Sequence, residues 1–164
     1  DNVFQFSKIF KLDETNFIFN GNINSGNSNN DVFLSKFDLN AQVFWEKVID
    51  GNRNDFVNDV KLINNEFYLC GQSKSYDGIF ASEYGDGVEW GDEPIRSNWV
   101  FKLDSNGEII WNKLFKPTGD QTFSSRFSNI IENESSLILS GSMIITVLNL
   151  KTLVVKTCLL SKLI

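Results

Sequence analysis

The first fact about the chemistry open to this chain is an absence, because its 164 residues include no histidine. Serine-histidine-aspartate and cysteine-histidine triads, histidine-ligated zinc and histidine proton shuttles are therefore excluded within it. Cys70 and Cys158 each sit in an apolar run, where a thiol behaves as a small hydrophobic side chain. What remains is a set of 21 carboxylates. Paired acids can hydrolyse glycosidic bonds, so a carbohydrate-active, glycosidase-like protein is the one catalytic class left open. Most of the acids fall in turns and polar loops, and spacing alone picks out no acid and nucleophile.

The richest stretch for binding is 76–94, with six acids, four aromatic rings and no basic residue. Its candidates are Tyr76, Asp77, Phe80, Glu83, Tyr84, Asp86, Glu89, Trp90 and Asp92. Flat rings beside hydrogen-bonding acids are what sugar stacking or a protein hot spot requires. The competing reading is a loop folded back so that its rings cover a sheet edge. Two oxygen-rich runs, Asp50 to Asp55 and Asp86 to Asp92, carry the donor types that calcium takes. Neither matches an EF-hand loop, no metal ligand set is fixed, and no organic cofactor is expected.

A formal charge of −6 gives no clustered cations with which to neutralise a phosphate backbone, so nucleic acid is not the expected partner. No run of about 18 uncharged apolar residues offers a membrane span. The content is 41% hydrophobic and 13% aromatic, enough for a packed core. Fifteen Phe and four Trp set among Asn, Ser and Gly favour short strands joined by polar turns.

Those strands repeat. Phe33 to Val48 matches Trp99 to Leu114 at a constant offset of 66 residues, aligning Asp38 with Asp104 and Trp45 with Trp111. A second element ends three times in an apolar run closed by glycine: Phe10 to Gly21, Val60 to Gly71 and Ile130 to Gly141. A weaker third copy of the first element lies at Val147 to Lys156. Each copy reads as four strands in a meander, with Asp or Asn opening the tight turns. The expected fold is all-β: three four-stranded antiparallel meander blades of a β-propeller, partial or completed by other chains. Units are drawn at 1–56, 57–126 with the insertion 76–94, and 127–164.

A lone four-stranded sheet cannot bury both faces, so neighbouring units must stack. Propellers close with about four to eight blades, and three would leave an arc for other blades or copies of the same chain to complete. In such a meander the loops Asn22 to Asn30, Asp50 to Asp55, Gln72 to Ser97, Lys116 to Ser124 and Ser142 to Ile144 all emerge at one end. Variable loops on a rigid scaffold are where binding sites tend to lie.

The stretch Trp99-Val-Phe-Lys-Leu-Asp-Ser-Asn-Gly-Glu-Ile-Ile-Trp111 resembles the β-propeller repeats of secreted and surface proteins of Bacteroidetes-like bacteria, similar in turn to quinoprotein-like and WD-type blades. Ala41 departs from the glycine that this pattern prefers, and the third copy has lost both Asp and Trp. The resemblance implies structural glycines and tryptophans, no inherited catalytic residue, and an extracellular or cell-surface location. The loop face and the unpaired sheet edges point to a non-catalytic module for protein or glycan binding, or for surface assembly, with a carbohydrate-active, glycosidase-like fragment as the alternative.

Overall fold

In the computed structural model of the chain, residues 3–24, 29–81, 89–90, 93–94, 97–115, 126–134, 136–142, 144–149 and 155–159 are described, and they form an all-β protein. Strands β1 (Val3–Lys11), β2 (Asn16–Asn24), β3 (Asp31–Asp38) and β4 (Val43–Ile49) pair antiparallel, in chain order, as a first sheet. After β5 (Asp55–Ile63) and β6 (Glu66–Ser73), the insertion contributes a 3₁₀ turn, Gly78–Phe80, and a short hairpin of β7 (Glu89–Trp90) and β8 (Glu93–Pro94). β9 (Ser97–Leu103) and β10 (Ile109–Phe115) then complete a second four-stranded sheet on β5 and β6. The third sheet is β11 (Arg126–Asn133), β12 (Ser136–Ser142), β13 (Ile144–Asn149) and β14 (Val155–Leu159). Among the described residues no helix is long and apolar enough to cross a membrane.

The glycine that closes each apolar run has one cause in all three sheets. The first strand bulges between Phe6 and Lys8, between Val57 and Asp59, and between Phe127 and Asn129, opposite Gly21, Gly71 and Gly141. A bulge swings its strand toward the neighbour, and a Cβ at these glycines would collide with the carbonyl oxygens of Gln5, Phe56 and Arg126. Counting from the glycine also corrects the repeat alignment by one residue. Ile9, rather than Phe10, shares the place of Val60 and Ile130, because Ile9 pairs with Phe19 as Val60 pairs with Leu69 and Ile130 with Leu139. The extra residue sits in the wider first hairpin, whereas Asn64 and Asn65 make a two-residue turn at positive φ.

The tight turns of the 66-residue match are alike atom for atom. Asp38 Oδ1 accepts the N–H groups of Asn40 and Gln42 at 2.8 and 2.9 Å, and Asp104 Oδ1 those of Asn106 and Glu108 at 2.8 and 2.9 Å. The fourth residue is left-handed in both, Gly107 at φ +83 and Ala41 at φ +60. That conformation costs an alanine about 1–2 kcal/mol.

Period-two alternation sends the faces of the second sheet to different neighbours. Phe67 and Leu69, with Trp99, Phe101 and Leu103, share a core with Ile18, Val32 and Leu34 of the first sheet. Tyr68, Cys70 and Val100 point the other way, into a core with Phe127, Ile130, Leu137 and Leu139 of the third. Polar pins cross both junctions. Asn58 Nδ2 donates to Phe127 O at 2.6 Å, and the carboxylate of Asp59 takes Lys8 of the first sheet at 3.5 Å and the Ile130 N–H of the third at 2.9 Å.

The repeated Trp fastens one sheet to the next. Trp45 Nε1 donates to Ser105 O at 2.9 Å, its ring leaves no room for a Cβ at Gly107, and it meets Phe67 edge-on at 5.6 Å. Lys47 pairs with Glu108 beside it at 2.9 Å. Its counterpart Trp111 meets Tyr68 edge-on at 6.2 Å and packs toward the third sheet. The matching turn expected from the sequence at Asn149 to Thr152 lies, beyond Asn149, outside the described residues. Cys70 is a free thiol buried in the second junction, pushed up in pKa by burial and then by the charge of Asp59.

Candidate functional site

Loops of the first two sheets converge at one end of the stack. Asn29 Nδ2 donates to Asn52 O at 2.8 Å, the Asn30 N–H to Asn54 Oδ1 at 2.7 Å, and the Asp55 N–H back to Asn30 O at 2.7 Å. On the other side the Arg53 N–H donates to Ser75 Oγ at 3.0 Å and the Lys74 N–H to Asn54 O at 3.0 Å. The Asn52 N–H reaches Asp77 Oδ1 at 2.8 Å. Residues 52–54 are thus held between the β2–β3 loop and the head of the insertion. Backbone groups that would otherwise need water bond to one another, so the surface above them is set by a fixed ridge.

Two acids lie beneath this ridge. Asp31 opens β3 and Asp55 opens β5, and they are 2% and 0% exposed. Asp55 Oδ2 accepts Ser75 Oγ at 2.9 Å, while Oδ1 of each acid is buried with no hydrogen-bond partner. Burial pushes Asp55 up to about 7; the charges of Asp31 and Asp77 add to this, and hydrogen bonds from Ser73 and Ser75 oppose it. Asp31 is raised by burial and then by the charge of Asp50, against the Gly51 N–H. Acids this deep cannot touch a sugar ring. Burial shifts both of them toward the protonated form.

Among the described residues no three His, Cys, Asp or Glu side chains gather to hold a metal ion. In the run Asp50 to Asp55, Asn52 to Asp55 are bound into the ridge.

The nine residues singled out from sequence are placed unequally. Tyr76 stands on the ridge, 43% exposed, with the Arg53 guanidinium 5.6 Å from its ring centre. Asp77 is spent on the Asn52 N–H and leads into the 3₁₀ turn, whose Phe80 N–H bonds back to Asp77 O at 3.0 Å. Phe80 is a correction. It is 3% exposed and stacks on Phe101 at 5.7 Å, so it is a core side chain covering the second sheet and takes no part in a surface. The turn is held there by Asn112 Nδ2, which donates to Ile79 O at 2.8 Å. Glu89 and Trp90 are seen as backbone only, paired with Pro94 and Glu93. Glu83, Tyr84, Asp86 and Asp92 lie outside the described residues.

Asp31 escaped sequence reasoning. Its signal is an acid straight after an Asn-rich loop and straight before an apolar strand, as at Asp55. No protein-family model and no curated protein matches this chain.

Proposed function

We propose that this chain is a non-catalytic repeat module of the β-propeller type, at the cell surface or outside the cell, which binds glycan or protein at the loop end of its first two sheets. Sheets stacked in one sense, with the same positions facing the same way, support the propeller-type reading. A ring of that type needs about four or more sheets, so further sheets are called for beyond these three. The binding role is carried by the hydrogen-bonded ridge with Tyr76 exposed upon it. Tyrosine brings a rigid apolar ring and a polar tip at little entropic cost, which suits a hot spot.

A glycan array tests this with wild type, Tyr76→Ala and Trp90→Ala. Wild type is expected to bind, and Tyr76→Ala to bind about tenfold more weakly, a difference of about 1.4 kcal/mol. Equal binding by Tyr76→Ala would move the surface away from the ridge. No binding by wild type would discard sugar as the ligand.

A further inference from the structure

We infer that Asp31 and Asp55, which open β3 and β5 beneath the ridge, bind a calcium ion between the first two sheets. The case begins with two oxygen atoms. Both side chains are buried, yet Oδ1 of each accepts no hydrogen bond. Buried acceptors are otherwise nearly always satisfied, and a pair of them left open at one junction is what a cation relieves.

The two acids close on one residue from either side. The Gly51 N–H bonds to the Asp31 carboxylate. A Cβ on Gly51 would stand 3.0 Å from Asp55 Oδ2 and would collide with the Ser75 side chain. The Asp55 N–H donates to Asn30 O, the carbonyl oxygen next to Asp31, at 2.7 Å. Asp31 is accordingly near enough for its charge to act on Asp55.

No side chain of opposite sign answers them. Among the described residues no lysine or arginine pairs with either acid, and Arg53, on the ridge above, has its guanidinium over the Tyr76 ring. Asp50 and Asp77 add to the negative charge, the first acting on Asp31 and the second on Asp55. Buried carboxylates are ordinarily paired or ligate a metal.

The donor set suits calcium because it is made of oxygen alone. The Ser75 hydroxyl holds Asp55 Oδ2 and the Gly51 N–H holds Asp31, which leaves Oδ1 of each acid for the ion. Calcium takes about six to eight oxygens, charged and neutral, in a flexible geometry that admits carbonyls and waters, whereas magnesium demands a near-ideal octahedron. Two carboxylates therefore serve it as charged ligands, although no three gather here. Of the oxygen-rich run Asp50 to Asp55, only Asp55 is a ligand, and its partner Asp31 comes from another sheet. An ion at this point ties β3 to β5 directly beneath residues 52–54 and so stiffens the ridge. The inference does not depend on what the ridge binds.

Thermal unfolding and isothermal titration of chelator-treated protein with calcium chloride test it, at pH 8, above the range in which Asp55 keeps its proton. Magnesium chloride is the comparison. About 10 mM calcium is expected to raise the ratio of folded to unfolded chain roughly 10- to 100-fold, as a site with a dissociation constant of about 0.1–1 mM would. The same concentration of magnesium should do far less. Asp31→Asn and Asp55→Asn, each shown by cooperative unfolding in chelator to be folded, should lose both the heat of binding and the stabilisation. Glu14→Gln, which removes an exposed acid of the β1–β2 turn, should keep both. No calcium effect on wild type, a magnesium effect equal to that of calcium, or a calcium effect retained by both aspartate variants would overturn the site.

Discussion

Replacing Gly71 with alanine is expected to lower the unfolding free energy by about 3 kcal/mol, or roughly 6–12 °C in Tm. The added Cβ has no path of retreat. It would run into the Phe56 carbonyl oxygen on one side and the six-membered ring of Trp99 on the other, and Trp99 is itself fully buried against Phe101 and Phe80. Relief needs either the bulge or the central aromatic stack to move. Gly78→Ala is the control. Its φ of +53 is unfavourable for alanine, but the nearest atom to the new Cβ is Asp50 O at 3.9 Å, so only the conformational cost of about 1–2 kcal/mol is expected. Urea denaturation of both variants separates close approach from backbone conformation. A Gly71→Ala protein no less stable than Gly78→Ala would show that the bulge does not press on β6 as described.

The stability of the wild type is expected to fall as pH rises from about 4 to 7. Folded Asp55 keeps its proton up to about 7, whereas the unfolded residue gives it up near the ordinary 3.8. Between those values the folded chain binds more protons, so each rise in pH favours unfolding. The contribution is whole below 3.8 and gone above about 7, with an upper limit of about 4 kcal/mol. Asp31, raised by the same burial, acts in the same direction.

Asp13 acts oppositely. The Thr15 N–H and then the Asn16 side chain hold it down to about 2, so its contribution is intact above 3.8 and is lost as pH falls toward 2. Together these acids place the stability maximum near about pH 4. Asparagine at position 55 keeps the shape of the side chain and an acceptor for Ser75 while removing the charge. Asp55→Asn should flatten the profile between about pH 4 and 7 and exceed wild type at about pH 8. Denaturation across a pH series checks this, and a wild-type profile that rises toward pH 8 would refute the buried proton.

Much of the fold was legible in the sequence because its determinants are local. An Asp that bonds its own backbone at Asp38 and Asp104, a Trp at a fixed distance beyond, and a glycine closing each run are read without knowing what packs where. Register was less legible. The slip of one residue between Phe10 and Ile9 arises in the width of a hairpin, and such a slip turns every side chain to the opposite face.

The loop end was legible as a place but not as a set of side chains. No periodicity runs through the insertion, so nothing distinguishes the ring of Phe80, which goes into the core, from that of Tyr76, which stays out. Asp31 and Asp55 look like ordinary strand openers until the second sheet is laid beside the first.

The sheet-to-sheet stack itself is tested most directly by nuclear Overhauser contacts from the Trp45 indole. The structure predicts contacts to the Gly107 α-protons, with those protons shifted upfield by the ring above them. Trp45 contacts confined to β3 and β4, with unshifted Gly107 protons, would contradict the stacking of one sheet upon the next.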